Sequence, residues 1–261
     1  MRRVRCKVFY FIVALLAALV LGTCGLEDYT YIFPVPQANI LAETNYRSTV
    51  RIPSNNPSPP FNHFSIFYRI YVSDVQMPTT VSSTSYPQIN SALSSDYNAI
   101  FPYIDSTTLV NTNMDSLFQG RGFKYLYLLR NGAVNAADNI LTSSVLGTTL
   151  VFDFSSQTYP TVTNTSTNTV YTLYRSDGNG TFNPRPDYTF VNNDDLWNPD
   201  YINSNFNADV VNKSNMTNPE RYTYVAMYIV AVGVDEASYS NIYSTPSLIH
   251  VFLLPDPWIG P

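Results

Sequence analysis

The chain has 261 residues, a formal net charge of −5, and is 45% hydrophobic, 15% aromatic and only 13% charged. So many aromatic and branched residues with so few charges argue against a wholly disordered chain. One long apolar run argues against a polytopic helical membrane protein, the acidic balance against nucleic-acid binding by the whole chain, and two cysteines against a disulfide scaffold.

Arg2, Arg3, Arg5 and Lys7 form a positive start, followed by Val8 to Val20, 13 residues without a charge. A spanning helix needs about 20 apolar residues, so this length suits the core of a secretory leader. Leu21-Gly22-Thr23-Cys24 follows directly. This stretch resembles the lipobox of bacterial lipoproteins: a branched apolar residue, two small residues, then Cys. Thr23 stands where that family usually has Gly, Ala or Ser, and the relaxed pattern is similar to spirochaete lipoproteins more than enterobacterial ones. The resemblance implies cleavage after residue 23, a signal peptide at 1–23, and acylation (palmitate or a like fatty acid) of Cys24. The competing reading is an uncleaved signal anchor with an ordinary buried Cys24. Cleavage would remove four of the 14 basic residues and none of the 19 acidic ones, leaving a net charge of −9. Such a surface is repelled by anionic headgroups and nucleic acid, so lipid rather than basic residues would hold it at a membrane.

Downstream, Tyr29, Tyr31 and Phe33 alternate with Thr30 and Ile32 before Pro34 and Pro36, a pattern expected of a first edge strand. In Phe64 to Ser73, Phe64, Ile66, Tyr68, Ile70 and Val72 share one face, and Ser65, Phe67, Arg69, Tyr71 and Ser73 the other. Ile89, Leu93, Tyr97 and Ile100 recur at helical spacing after Ser85 and Pro87, predicting a short amphipathic helix near 85–101 that Pro102 ends. Alternation returns over Phe123 to Arg130, closed by Asn131-Gly132, then over Thr149 to Phe154 and Val170 to Arg175, while Ala133 to Leu146 reads as a short helix or a loop. Residues 176–220, rich in Asn, Asp, Pro and Ser, read as a long surface excursion partly ordered by Phe182, Tyr188, Phe190, Trp197 and Tyr201. Thr223 to Val234 is apolar on both faces and belongs in the middle of a packed sheet. Ser247 to Leu254 is the closing strand.

The run Tyr224 to Asp235, the step Tyr243-Ser-Thr-Pro246 and the strand Leu248 to Leu254 resemble the end of a fibronectin type III or immunoglobulin-like domain. Phe64 to Asp74 then matches that family's third strand. The resemblance implies a mainly β sandwich, with the helix near 85–101 and the excursion 176–220 as departures from the ordinary module. The expected organisation is a single domain over 24–261.

Little in the sequence points to chemistry. His63 reads as solvated in a Pro/Asn loop, and His250, mid-strand among Leu and Phe, as a hydrogen-bonded core histidine rather than a catalytic base. Neither a Gly-x-Ser-x-Gly elbow nor a phosphate-binding Gly-rich loop occurs. Glu27-Asp28, Asp194-Asp195 and Asp235-Glu236 are adjacent carboxylates, which point to opposite faces on an extended chain. Asp177 to Thr181 fails as an EF-hand loop, because Phe182 and Tyr188 fall where Gly and Glu are needed. The sequons at Asn164, Asn179, Asn212 and Asn215 fit the chance frequency of so Asn-, Ser- and Thr-rich a chain, and a bacterial lipoprotein would not normally be modified there. The 21 Tyr residues suit interfaces or sugar stacking, although strands favour Tyr on their own account. The expectation is a lipid-anchored, non-enzymatic structural or interaction module of the cell envelope. It would have no catalytic residues, metal or cofactor, no nucleic-acid partner, and a membrane contact through lipid at Cys24. The alternative is a lipoprotein that binds a glycan or peptide.

Overall fold

Period-two alternation of β-branched and aromatic residues produces the two longest strands, β3 (Phe61–Ser73) and β9 (Glu220–Val234). They pair antiparallel along nearly their whole length, from Phe61 opposite Gly233 to Ser73 opposite Tyr222, with a register shift between Phe61 and His63. The computed structural model describes residues 31–57, 59–104, 113–129, 141–155, 160–175, 182, 209–218, 220–235, 238–254 and 258–259. The other strands are β1 (Ile40–Thr44), β2 (Arg47–Arg51), β4 (Lys124–Leu129), β5 (Thr149–Asp153), β6 (Thr161–Asn164), β7 (Thr169–Arg175), β8 (Val210–Asn212), β10 (Asn241–Tyr243), β11 (Ser247–Leu253) and β12 (Trp258–Ile259). Among the described residues the α-helices are short: α1 (Tyr86–Ile89), α2 (Ser91–Ile100) and α3 (Met114–Gln119).

The strands run in the order β1-β2-β5-β6-β7-β4-β3-β9-β10, with β11 and β12 also on β9, and β8 on β3. Among these pairings β8 against β3 is parallel and the rest are antiparallel. β4 is the corner: Lys124 and Tyr125 pair with β3, while Leu126 to Leu129 pair with β7. A strand shared in this way folds one sheet over the other. At the far side β11 meets the β1–β2 hairpin. The Leu253 amide donates to the Asn45 carbonyl at 2.8 Å, and the Ser48 hydroxyl bridges the carbonyls of Leu41 and Ile249 at 3.2 and 3.1 Å. The result is a mainly β protein of the sandwich class.

Two apolar cores lie on the two faces of β3 and β9. Phe64, Ile66, Tyr68 and Ile70 join Val225, Met227 and Ile229, and face Val50, Leu150, Phe152, Val162 and Leu173 of the other half. Phe154 stacks on Phe252 there at 4.3 Å. The opposite face, with Phe67, Tyr71, Tyr224, Tyr228 and Val230, is covered by Ile89, Leu93, Ile100, Met114 and Phe118 of the helices, and Phe67 stacks on Phe118 at 4.4 Å. Each such aliphatic or aromatic side chain contributes about 1.5–3 kcal/mol by leaving water. Double coverage explains why Thr223 to Val234 is apolar on both faces. Ile32 onward forms one compact unit.

Four expectations need correction. Ile32 and Phe33 are not in a strand. The Phe33 amide and carbonyl are instead satisfied by the buried Asn56 side chain, at 2.7 and 2.9 Å, so an amide side chain does the work of a ladder. The helix near 85–101 is broken at Asn90, which is extended and N-caps α2 through a bond from the Ala92 amide. Its amide nitrogen donates to the carbonyls of Val72 and Val211, and that tie to β3 and β8 holds the break open. The excursion 176–220 is not loop throughout, since Val210–Asn212 is a strand on β3 at Ile70 to Val72, although Phe182 is buried against Tyr68 and Phe154 as an ordering aromatic should be. Three strand residues leave too short a pattern to show periodicity. Finally, His63 lies inside β3 and is half-buried, not solvated in a loop.

Several elements carry no strong sequence pattern. The β1–β2 hairpin and β6 are short, with little alternation of apolar and polar residues. α3 is a six-residue helix. It starts where Asn113 accepts a bond from the Ser116 amide. Beyond its last residue the chain turns back through Gly122, whose amide donates to the Gln119 carbonyl and whose φ of 78° is a conformation that glycine reaches without a Cβ penalty.

Candidate functional site

Polar groups inside an apolar body cost free energy unless paired, so their partners show what the fold is built to hold. Arg175, at the end of β7, and Asp209, just before β8, are 2% and 0% exposed. The Arg175 Nε donates to Asp209 Oδ2 at 2.6 Å and its second nitrogen to Oδ1, a bidentate pair. The Asp209 carbonyl also accepts from the Ile70 amide at 2.9 Å. This clasp closes the two ends of the 34-residue separation between them. Beside it, Asp74 at the end of β3 accepts from Lys213 Nζ at 2.7 Å and from the amides of Thr217 and Asn218. Burial opposes ionisation of Asp74, but the ammonium and the two amides prevail and hold its carboxyl well below the usual range. The 209–218 stretch is thus fastened by two charged clasps.

Two further clusters lie between the sheet and the helices. Asp96 of α2 accepts from Arg69 at 2.5 Å, from the Tyr71 hydroxyl at 2.7 Å and from Arg121 at 3.4 Å. Burial and then the Asp96 charge raise the Tyr71 pKa well above its ordinary value, so the phenol stays a donor. Asp115 of α3 accepts from the Tyr243 hydroxyl at 2.6 Å, and burial with a bond to Asp115 also pushes the Tyr125 phenol up. His63 Nε2 meets Ser65 Oγ at 3.2 Å, and burial lowers the His63 pKa against the pull of Asp115. Ser, His and Asp are thus near one another, but Asp115 accepts its hydrogen bond from the Tyr243 phenol, an arrangement that orders the helix layer rather than an imidazole.

His250 is the buried, hydrogen-bonded histidine that its position suggested. Its Nε2 is 3.0 Å from the Thr44 carbonyl, its ring meets Phe252 edge-on, and burial lowers its pKa to about 4. Asn164 of the sequon set is buried and accepts from the Ser166 amide, so it serves the β6–β7 turn. Among the described residues there is no group of three His, Cys, Asp or Glu side chains able to hold a metal, and no helix is long and apolar enough to cross a membrane. The leader, Cys24, Glu27-Asp28, Asp177 to Thr181, Asn179, Asp194-Asp195, Glu236 and the aromatics Tyr188 to Tyr201 lie outside the described residues.

The clasps were not legible in the sequence, because Arg175–Asp209 joins residues with no shared motif. The one hint is an arginine at the end of a strand in which it shares a face with Leu173.

Fold and polar clusters together define a mainly β, sandwich-class protein with a helical layer on one face and a charged clasp at the roots of a long segment. No protein-family model, curated protein or solved structure matches the chain.

Proposed function

We propose that the chain is an exported lipoprotein, acylated at Cys24, whose body is a non-enzymatic interaction module of the cell envelope. The reading is carried by one observation in the sequence: Leu21-Gly22-Thr23-Cys24 stands directly after a charged start and a 13-residue apolar run, the order a lipoprotein leader requires. One acyl chain anchors weakly, and stable attachment takes more than one, so the Cys24 lipid would be multiple. The body supports the second half. Among the described residues, a buried bidentate ion pair joins Arg175 and Asp209, which gives the body a rigid frame on which an interaction surface can be held.

Within this proposal the sandwich is a fibronectin type III or immunoglobulin-like variant. In its support, β4-β3-β9-β11 run side by side as C′-C-F-G do, and β1-β2-β5 as A-B-E do. The path through β6 and β7 back to β4 departs from that plan.

Replacing Cys24 with Ser tests the anchor. Labelling cells with a radioactive palmitate should mark the wild-type protein and not C24S, and C24S should leave the membrane fraction. A C24S protein that is still labelled, or still sediments with membrane, overturns the reading.

A further inference from the structure

Three non-glycine residues in the described chain have positive φ: Asn168, Asn215 and Tyr239. Asn reaches the left-handed region readily, because its short amide bonds locally, whereas a bulky residue there is an outlier. Tyr239, at φ 55°, sits in the hairpin between β9 and β10. The Asp235 amide donates to the Ser240 carbonyl at 2.9 Å, and the Tyr239 amide to the Asp235 carbonyl at 2.8 Å. The Ser238 hydroxyl bonds both Asp235 and Ser240. The tip is therefore held in shape by its own bonds, and the position that closes it is one where Gly or Asn ordinarily stands.

The ring at that position does nothing for the fold. Tyr239 is 86% exposed, well above the next most exposed large apolar residue among those described, Leu41 at 62%. A steric penalty with no burial in return is the mark of a side chain kept for something outside the molecule. We propose that Tyr239 is the aromatic anchor of a protein–protein contact, inserting into an apolar pocket of a partner whose rim is basic. This deepens the interaction-module reading and rests on it. A ring projecting from a hairpin tip suits insertion into a partner's cavity, whereas glycan sites are concave on the protein that binds them. Tyr is among the residues that dominate binding energy when fully desolvated at the centre of an interface. Asp235 at the base of the tip and the net charge of −9 that cleavage leaves disfavour an anionic lipid surface and favour a basic rim.

The test places a photoreactive aromatic, p-azidophenylalanine, at position 239 of the full chain in the cells that make it, and at exposed Ser144 as a control. The expected result is a discrete protein adduct from position 239 and none from 144. Added wild-type protein should compete for that adduct, while Tyr239→Gly should compete about 30-fold less well, the loss a hot-spot residue produces. The melting temperature of Tyr239→Gly should equal or exceed that of wild type, since glycine relieves the backbone. The proposal is overturned by no adduct at 239, by an adduct to lipid or glycan rather than protein, by equal competition from Tyr239→Gly, or by a lower melting temperature for that variant. Loss of lipidation in C24S is read by fractionation and labelling, so failure of the anchoring proposal is recognised separately.

Discussion

Removing the Asp209 carboxylate should be among the most damaging single changes in the chain. Asp209→Ala leaves the Arg175 guanidinium, 2% exposed, without the carboxylate that accepts two of its donors. Breaking a buried pair by deleting one partner costs about 3–5 kcal/mol, because it removes the bidentate counter-charge of a desolvated group. That is a large part of the roughly 5–15 kcal/mol that keeps a typical domain folded. For a domain of this size it corresponds to a fall in melting temperature of about 10 °C, at roughly 2–4 °C per kcal/mol. The assay is urea denaturation, comparing midpoints at constant slope. The double variant Arg175→Met, Asp209→Leu removes both charges and fills the volume with apolar atoms, so it should recover most of the loss. If the single variant loses less than about 1 kcal/mol, a cost typical of exposed pairs, the claim of a desolvated clasp is wrong. If the double variant is as unstable as the single, packing rather than charge is at stake.

Asp74→Asn should cost about 1–3 kcal/mol at neutral pH through its charge-assisted bonds to Lys213, Thr217 and Asn218. The folded pKa is depressed, so this stability is present above the unfolded value near 4 and is lost as pH falls through the folded one. The gap between wild type and variant in chemical denaturation should therefore narrow on acidification, and a gap independent of pH would contradict the assignment. For His250 the folded pKa of about 4 lies below the ordinary 6.5, so the unfolded chain binds the extra proton between those values. Stability should fall by up to about 3 kcal/mol from pH 6.5 to 4 at 1.36 kcal/mol per unit. His250→Gln, which keeps a donor for the Thr44 carbonyl, should flatten that slope, and an unchanged slope would assign it to other groups. Gly233→Ala should lose about 1–3 kcal/mol by overpacking, since a Cβ there would run into Ile32 Cδ1 and lie 2.7 Å from the Pro60 carbonyl. Thermal melting equal to wild type would show that the neighbours shift freely.

The long strands were legible because each strand position sends its side chain to a fixed face. Residues 64, 66, 68, 70 and 72 share one face of β3 by backbone geometry alone, and all five enter the core between the sheets. Which residues cover the other face is a different matter. Phe118 on Phe67 and Phe123 on Tyr228 join segments far apart in the chain. Only pairing of the strands brings them together.

Amino-acid order alone determines here that the protein is mainly β, that β9 is buried on both sides, and that His250 is a core residue. Those properties follow from local periodicity and composition. Tertiary structure decides that Asn56 stands in for a strand, that Asn90 divides a helix, and that Val210 begins a parallel strand. It also decides that Arg175 finds Asp209. Each of these depends on one polar side chain meeting a backbone group or charge distant in sequence, and the cost of leaving a buried polar group unpaired, rather than any periodic pattern, selects the partner.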